Sequence, residues 1–208
     1  MLSPLTQQLV QSLSRLPGIG PKSAQRICFQ LLKKKQHHTA LGLADALKQA
    51  IDHIDLCESC RQFSESPQCP MCADDKRDAS CVCVVESPAD VVAIEHSHGF
   101  KGFYFVLHGH LSPIDGIGPA DLAIDQLVSR CRAADIEELI LATGATMEGE
   151  ATAHYISQQL EGVGIRMTRI AHGVPMGGEL EYLDGNTLAH ALRQRQIIFN
   201  PKTEKINE

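Results

Sequence analysis

The sequence predicts an α/β protein assembled in series: a helical N-terminal segment, a small cysteine-built module, a parallel sheet with flanking helices, and a C-terminal helix. Three observations carry that expectation. Leu5, Leu9, Leu13 and Leu16 recur at three- and four-residue spacing, the period of a helix with one apolar face. Four cysteines stand as two Cys-x-x-Cys pairs inside residues 55–79, a stretch without apolar period. From Ser80 onward, short apolar runs alternate with helical stretches, which implies right-handed strand–helix–strand crossovers and hence a parallel sheet.

Taken in order, helices are expected over residues 5–16, 24–32 and 41–54. Between the first two, Leu16-Pro17-Gly18-Ile19-Gly20-Pro21 forces a tight turn through two glycines and two prolines. Strands are expected at 81–85, 103–107, 139–142 and 167–170, with helices at 90–96, 120–134 and 150–160 between them. A last helix covers 187–195, and 199–208 reads as a polar, frayed tail. The expected divisions are 1–54, 55–79, 80–175 and a C-terminal segment 176–208.

Composition narrows the function classes. With 208 residues, 43% hydrophobic and 21% charged, the chain can bury a core. Without Trp and with 4% aromatics, that core is aliphatic, base-stacking platforms are scarce and sequence-specific readout is disfavoured. No apolar run reaches the roughly 18 residues of a membrane span, and no apolar signal core follows the first basic residue, Arg15. A cytoplasmic protein is expected. The net charge of −6 hides a bipolar chain. Residues 1–44 carry Arg15, Lys22, Arg26, Lys33, Lys34 and Lys35 with no Asp or Glu, whereas the remainder holds 13 basic and 25 acidic side chains. One end suits phosphate, and the other suits a basic partner or solvent.

The glycine–proline turn sharpens the first half of that statement. Gly18 and Gly20 allow close backbone approach, and Pro21 suits the first position of a helix. A helix N-terminus presents unpaired N–H groups and a partial positive charge, which bind a phosphate oxygen without reading a base. Lys22 and Arg26 are four residues apart and so share one helical face; Lys33, Lys34 and Lys35 extend the basic segment, with His37 and His38 beside them. Ile19 is expected to turn inward. A hairpin used only for packing or dimerisation is the competing reading. Gly-Ile-Gly-Pro recurs at residues 116–119, followed by Ala120 and Asp121, so this second copy is not expected to bind phosphate.

Cys57, Cys60, Cys69 and Cys72 form Cys-x2-Cys-x8-Cys-x2-Cys, two knuckles able to place four thiolates on one tetrahedral Zn2+. With all four positions filled by protein, the site is closed and structural, one ion per chain. Two disulfides or four free thiols are the competing readings, disfavoured by a reducing compartment. Cys28, Cys81, Cys83 and Cys131 lie among apolar residues and are expected in the core.

Residues 81–85 run into Glu86 and then Ser87-Pro88-Ala89-Asp90, a helix-capping sequence. This places Glu86 at the C-terminal edge of a sheet, where open α/β sheets hold their sites. Glu148 and Glu150, in Glu148-Gly149-Glu150, follow the strand at 139–142 and lie along the same edge. The hairpin pattern Leu-Pro-Gly-Ile-Gly-Pro-Lys-Ser-Ala resembles the helix-hairpin-helix of DNA repair proteins, and the acidic edge resembles a Toprim domain. The order helix-hairpin-helix, four-cysteine zinc module, Toprim-like parallel sheet resembles the bacterial recombination mediator family RecR. The likeness covers about residues 3–198, including 84–90, 111–119, 148–152 and 170–178. It departs from the family at Gly144-Ala145, where Asn-Pro is usual.

The resemblance implies a DNA-binding mediator of recombinational repair, nucleoid-associated when bound to DNA, that forms a ring, a homo-oligomer arranged as a tetramer of two dimers, and works with RecO and, in many bacteria, RecF. A Mg2+-dependent phosphoryl-transfer enzyme is the alternative. Catalytic Toprim domains add two aspartates before the Glu-Gly-Glu run; the corresponding positions here are Gly144 and Thr146, so Mg2+ binding is expected to be weak and catalysis absent. The acidic edge of Glu86, Glu148 and Glu150 is then expected to dock a basic partner, RecO.

Overall fold

The computed structural model describes residues 2–171, 173–175 and 177–193. The first helix, α1 (Pro4–Ser14), begins where Ser3 Oγ accepts the Thr6 N–H at 3.4 Å and Pro4 takes the first helical position. The chain then turns through Gly18, at φ +76°, a conformation that glycine adopts without strain. Gly20 caps α2 (Pro21–Leu31), whose Ala24 and Cys28 are fully buried. The Cys28 thiol also reaches the Thr6 carbonyl, tying α2 to α1. Ile19 is half-buried, its N–H donating to the Leu16 carbonyl at 3.1 Å. A short 3-10 turn over Lys34–Gln36 leads into α3 (His37–His53), which starts earlier than its apolar period suggests.

A two-stranded ribbon, β1 (Asp55–Leu56) and β2 (Phe63–Ser64), precedes the main sheet. The chain then alternates through β3 (Asp78–Val85), α4 (Pro88–His96), β4 (Gly102–Val106), α5 (Ile124–Ala133), β5 (Glu138–Ala142), α6 (Met147–Gln159) and β6 (Arg166–Arg169). The four strands are parallel in the order β4-β3-β5-β6. A 3-10 turn at Leu180–Tyr182 and α7 (Gly185–Arg193) follow; the end of the expected last helix and the tail lie outside the described residues.

Strand alternation sorts the core into two layers, because successive side chains point to opposite faces. Val82, Val84, Phe105, Leu107, Leu139 and Leu141 face α5 and α6, meeting Leu127, Cys131, Ala153 and Ile156. Cys83, Val85, Tyr104 and Val106 face the other way, onto Val91 of α4 and onto Cys57, Cys60 and Cys69. The cysteine module thus serves as part of a covering layer, and the sheet is buried on both faces as a parallel sheet requires. Each fully buried valine or leucine contributes about 1.5–3 kcal/mol. Cys28, Cys83 and Cys131 are core residues as expected, but Cys81 is only half-buried, since β3 begins before it and its early residues lie near solvent. The α5 helix starts at Ile124, later than its apolar pattern suggests, because Ala123 sits in the left-handed region and interrupts the helix.

The chain divides into two compact units. One takes in residues up to Asp55 with Ser64–Pro67; the other takes in Leu56–Phe63 and the chain from Gln68.

Candidate functional site

At the α2 N-terminus, Gly20 has no side chain to cap the first turn, and no side-chain hydrogen bond does so. The first intrahelical bond is Ala24 N–H to the Gly20 carbonyl, 2.9 Å. The N–H groups of Lys22 and Ser23 precede it and are therefore donors without a helical partner. Lys22 and Arg26 are exposed beside them, as are Lys33, Lys34 and Lys35. Among the described residues none of these cations forms an ion pair; Lys33 Nζ donates to Gln30 Oε1 at 2.8 Å. A Cβ built at Gly20 would meet nothing within 4 Å, and φ is −77°. Nothing inside the chain therefore demands glycine there, whereas close approach of an external group would.

The second Gly-Ile-Gly-Pro folds differently. Ser112 and Ile117 exchange backbone hydrogen bonds, and Gly118 N–H donates to Asp121 Oδ2 at 2.8 Å. A carboxylate of the chain already occupies the position an external anion would take.

The four sulfurs of Cys57, Cys60, Cys69 and Cys72 lie within 4.8 Å of one another, and the first three residues are buried. A regular tetrahedron with Zn–S near 2.3 Å has sulfurs about 3.8 Å apart, so the set is close to a ligand geometry. Cys60 and Cys69 Sγ are 3.5 Å apart, and the Cys69 N–H donates to Cys57 Sγ at 3.3 Å. The hydrogen bond from Cys72 pulls the Cys60 thiol down to about 5. Burial pushes Cys69 up to about 11, and the bond to Cys60 raises Cys72 further. With Cys60 lowered and Cys69 and Cys72 raised, these thiols resist ionising together, and a bound cation is what lets several thiolates coexist. These four cysteines could hold a metal ion.

Glu86 follows β3, whose last residue Val85 pairs with Ala142 of β5. Its carboxylate accepts the Gly144 N–H at 2.8 Å and lies 3.4 Å from His110 Nδ1. The first turn of α6 is drawn over it: Thr146 Oγ1 accepts the Gly149 N–H at 3.1 Å, and Thr143 Oγ1 donates to the Gly149 carbonyl at 2.8 Å. A Cβ at Gly149 would fall 2.2 Å from the Gly144 carbonyl oxygen, so the glycine between the two glutamates is required by packing. Glu150, 54% exposed, is ion-paired with Arg169. Glu86, Glu148 and Glu150 thus occupy one edge, but Glu86 is 22% exposed and turned inward. Its carboxylate organises the loop at Gly144-Ala145.

Sequence reasoning overlooked the residues that serve these groups. Arg61 Nη1 donates to the Leu122 carbonyl at 2.6 Å, His108 Nε2 lies 2.6 Å from the Arg61 carbonyl, and Arg130 Nη1 bonds the Ser59 and Tyr104 carbonyls. Together with Val106 N–H to Cys60 O at 2.8 Å, they fasten the cysteine loops to the sheet. Arg61 and His108 both have positive φ. No spacing rule marks such residues, because their partners are backbone carbonyls distant in sequence.

Comparison with known proteins agrees with this arrangement. Residues 6–51 match the RecR helix-hairpin-helix family, 80–171 the Toprim domain and 173–196 the RecR C-terminal family. A protein of Coxiella burnetii named Recombination protein RecR is 57% identical over 195 residues, covering 94% of this chain and 97% of the relative. Proteins of the same name from Saccharophagus degradans and Alcanivorax borkumensis are 52% and 51% identical, covering 95% and 93% of this chain and 100% and 96% of the relatives. A helix-hairpin-helix, a four-cysteine cluster and a Toprim sheet in this order, with identity of this level along nearly the whole length, place the chain in the RecR family of recombination proteins.

Proposed function

We propose that this chain is a DNA-binding recombination mediator in repair, working as a scaffold and not as a phosphoryl-transfer enzyme. The observation that carries the reading is the uncapped α2 N-terminus beside Lys22 and Arg26, in a segment without a carboxylate before Asp45. Gly18 and Gly20 bring backbone N–H groups to a phosphate, and Lys22, Arg26, Lys33, Lys34 and Lys35 hold the same strand, independent of sequence. Zn2+ is the ion that suits four thiolates closed off by protein, and it would stabilise the cysteine module without taking part in chemistry.

The acidic edge is read as a docking surface for a basic partner, RecO by family resemblance, with RecF as a further associate. Glu150 is its exposed group and is paired with Arg169, Glu148 is half-buried beside it, and Glu86 is turned onto the Gly144 N–H. Gly144 and Thr146 stand where a catalytic Toprim domain carries aspartates, and Glu86 is already bonded to Gly144, which leaves little to hold Mg2+ against a phosphate. Self-association is supported by the helical unit's thin core. Leu43, Leu47 and Ile51 form one stripe on α3 and stay exposed, Ile51 at 79%, with Ile54 exposed just past the helix end. A second copy would cover that stripe, and a ring of two dimers would gather the basic segments around DNA, turning weak contacts into multivalent retention.

The test is a pair of charge variants. Lys22→Ala with Arg26→Ala should weaken duplex binding and reduce the salt slope of log K by about 0.9 for each phosphate no longer neutralised. Glu148→Lys with Glu150→Lys should abolish RecO association while DNA binding and mass by light scattering remain. Unchanged DNA titration in the first variant rejects the hairpin interface, and Mg2+-dependent nicking by the parent protein rejects the scaffold reading.

A further inference from the structure

We infer that Phe29 is a base-stacking residue, so that the helix-hairpin-helix face takes unpaired nucleic-acid strand in preference to duplex. This rests on the DNA-binding reading above and specifies its substrate. At 100° per residue, Lys22, Arg26 and Phe29 of α2 fall within an arc of about 60°. Ala24 and Cys28, the buried residues of the helix, lie on the opposite side. An aromatic ring on the face away from the core breaks the amphipathic pattern of α2, and Phe29 is 44% exposed. It is the one aromatic residue in the first 62 positions. The general scarcity of aromatics therefore does not apply to this stripe.

The surroundings are those of a strand-binding groove. Arg26, Ile27, Phe29, Gln30, Leu31 and Lys33 line an open groove of about 540 Å3, so an apolar surface that includes the Phe29 ring lies between Arg26, one turn before the ring, and Lys33, just past the end of α2. Phosphates on the cations and a base on the ring is the arrangement by which single strands are held without sequence preference, because every base has a π-face. A duplex keeps its bases stacked on one another and presents only phosphates to such a groove. Charge separates this face from the apolar stripe on α3. A two-fold contact brings a patch against its own copy, and here that would oppose Lys22, Arg26 and Lys33 to themselves with no carboxylate in residues 1–44 to compensate. The complementary occupant is a polyanion with exposed rings.

The chain contains no Trp, so Phe29→Trp in the full-length protein introduces a single indole as a reporter. Its fluorescence should be quenched on titration with poly(dT) and little changed by a duplex of equal length. Phe29→Ala should lower poly(dT) affinity by roughly 5- to 100-fold, the usual effect of removing one stacking ring, and leave duplex affinity within about twofold. The poly(dT) salt slope should stay the same, since every cation facing a phosphate remains in place. Phe29→Tyr should restore single-strand affinity, and light scattering should return the parent mass for every variant. Equal weakening on poly(dT) and duplex, or a change of mass in Phe29→Ala, would overturn the proposal by assigning the ring to packing or self-association. An indole whose emission ignores bound poly(dT) would overturn it as well. If the parent protein binds neither substrate, the DNA-binding reading fails with it; a parent that binds both equally defeats the strand preference alone.

Discussion

Residues 18–21 and 116–119 are the same tetrapeptide, Gly-Ile-Gly-Pro, in two units of one chain. In the first, Pro21 opens a helix at once, Gly20 leaves its first turn uncapped and a lysine follows. In the second, Pro119 enters a turn, Ala123 sits at φ 50°, and α5 begins only at Ile124. Asp121 then accepts the Gly118 N–H. Four identical residues thus leave donors open in one place and satisfied in the other. The difference comes from the next two residues: Lys22-Ser23 adds a cation and continues the helix, whereas Ala120-Asp121 supplies an internal acceptor. A glycine turn becomes an anion site only when the chain leaves its N–H groups without a partner.

The largest effect that would sharpen this contrast acts on the second segment's surroundings. Cys57→Ser should lower the capacity of the four-cysteine cluster to hold a metal ion and destabilise the sheet unit, where Arg61 beside Cys60 holds the carbonyl of Leu122. A loss of about 4 kcal/mol lowers Tm by roughly 8–16 °C in a chain of this size, measured by calorimetry alongside metal content. Metal loss without a change in melting would mean the cysteine cluster supplies no folding energy. Next in size is a matched pair of substitutions. Gly20→Ala should cost about tenfold in DNA affinity, since a methyl group there obstructs the close approach through which helix-end N–H groups bind phosphate. Gly118→Ala, whose added carbon would stand 3.7 Å from Asp121 Oδ2, should leave affinity unchanged. Gly118→Ala restricts the unfolded chain and can raise stability by about 0.5 kcal/mol; in Gly20→Ala that gain is offset by the poorer N-cap that alanine makes for α2, a cost of about 0.5–1 kcal/mol. Equal affinities for the two variants would erase the distinction between the segments.

Smaller still is Asp121→Ala. Removing the acceptor should cost about 1 kcal/mol, a fall of some 2–4 °C in Tm, without a gain in DNA affinity, since no cation stands at 120 or 121. A gain would show that the internal carboxylate alone silences the second segment. The mildest difference concerns acid. Arg77 holds the Glu95 carboxyl below its ordinary 4.5, with Tyr104 also donating to it. Its contribution is complete above pH 4.5 and disappears as pH falls through the lower folded value. Glu95→Gln should therefore reduce the steepness of acid unfolding in the sheet unit. The helical unit has no carboxylate before Asp45 and gains nothing from such a group there. Acid profiles of parent and variant that superimpose would assign the sheet's acid sensitivity elsewhere.

Much of the architecture was legible because it is written in local periods. The continuous apolar run at residues 81–85 marks β3, and its two faces separate into Val82 and Val84 on one side and Cys83 and Val85 on the other. The Ser87-Pro88-Ala89-Asp90 sequence forms a full capping box at the start of α4. The four cysteines were recognisable from spacing, since a knuckle needs only its own short loop to aim two sulfurs. The start of α5 escapes such rules because Ala123 adopts a left-handed conformation that no composition rule signals at alanine.

The sequence by itself determined the order of the modules, the parallel sheet, the cysteine cluster and the concentration of positive charge in the first 44 residues, all of which follow from nearby residues and their chemistry. Tertiary structure decided which of these groups are available. It turned Glu86 onto the Gly144 N–H, paired Glu150 with Arg169 and used the cysteine module to cover one face of the sheet. It also placed Phe29 on the exposed, cation-bearing side of α2. Availability depends on partners tens of residues away, brought close only when the strands register. A carboxylate or N–H that reads as free in the sequence can be satisfied in the fold.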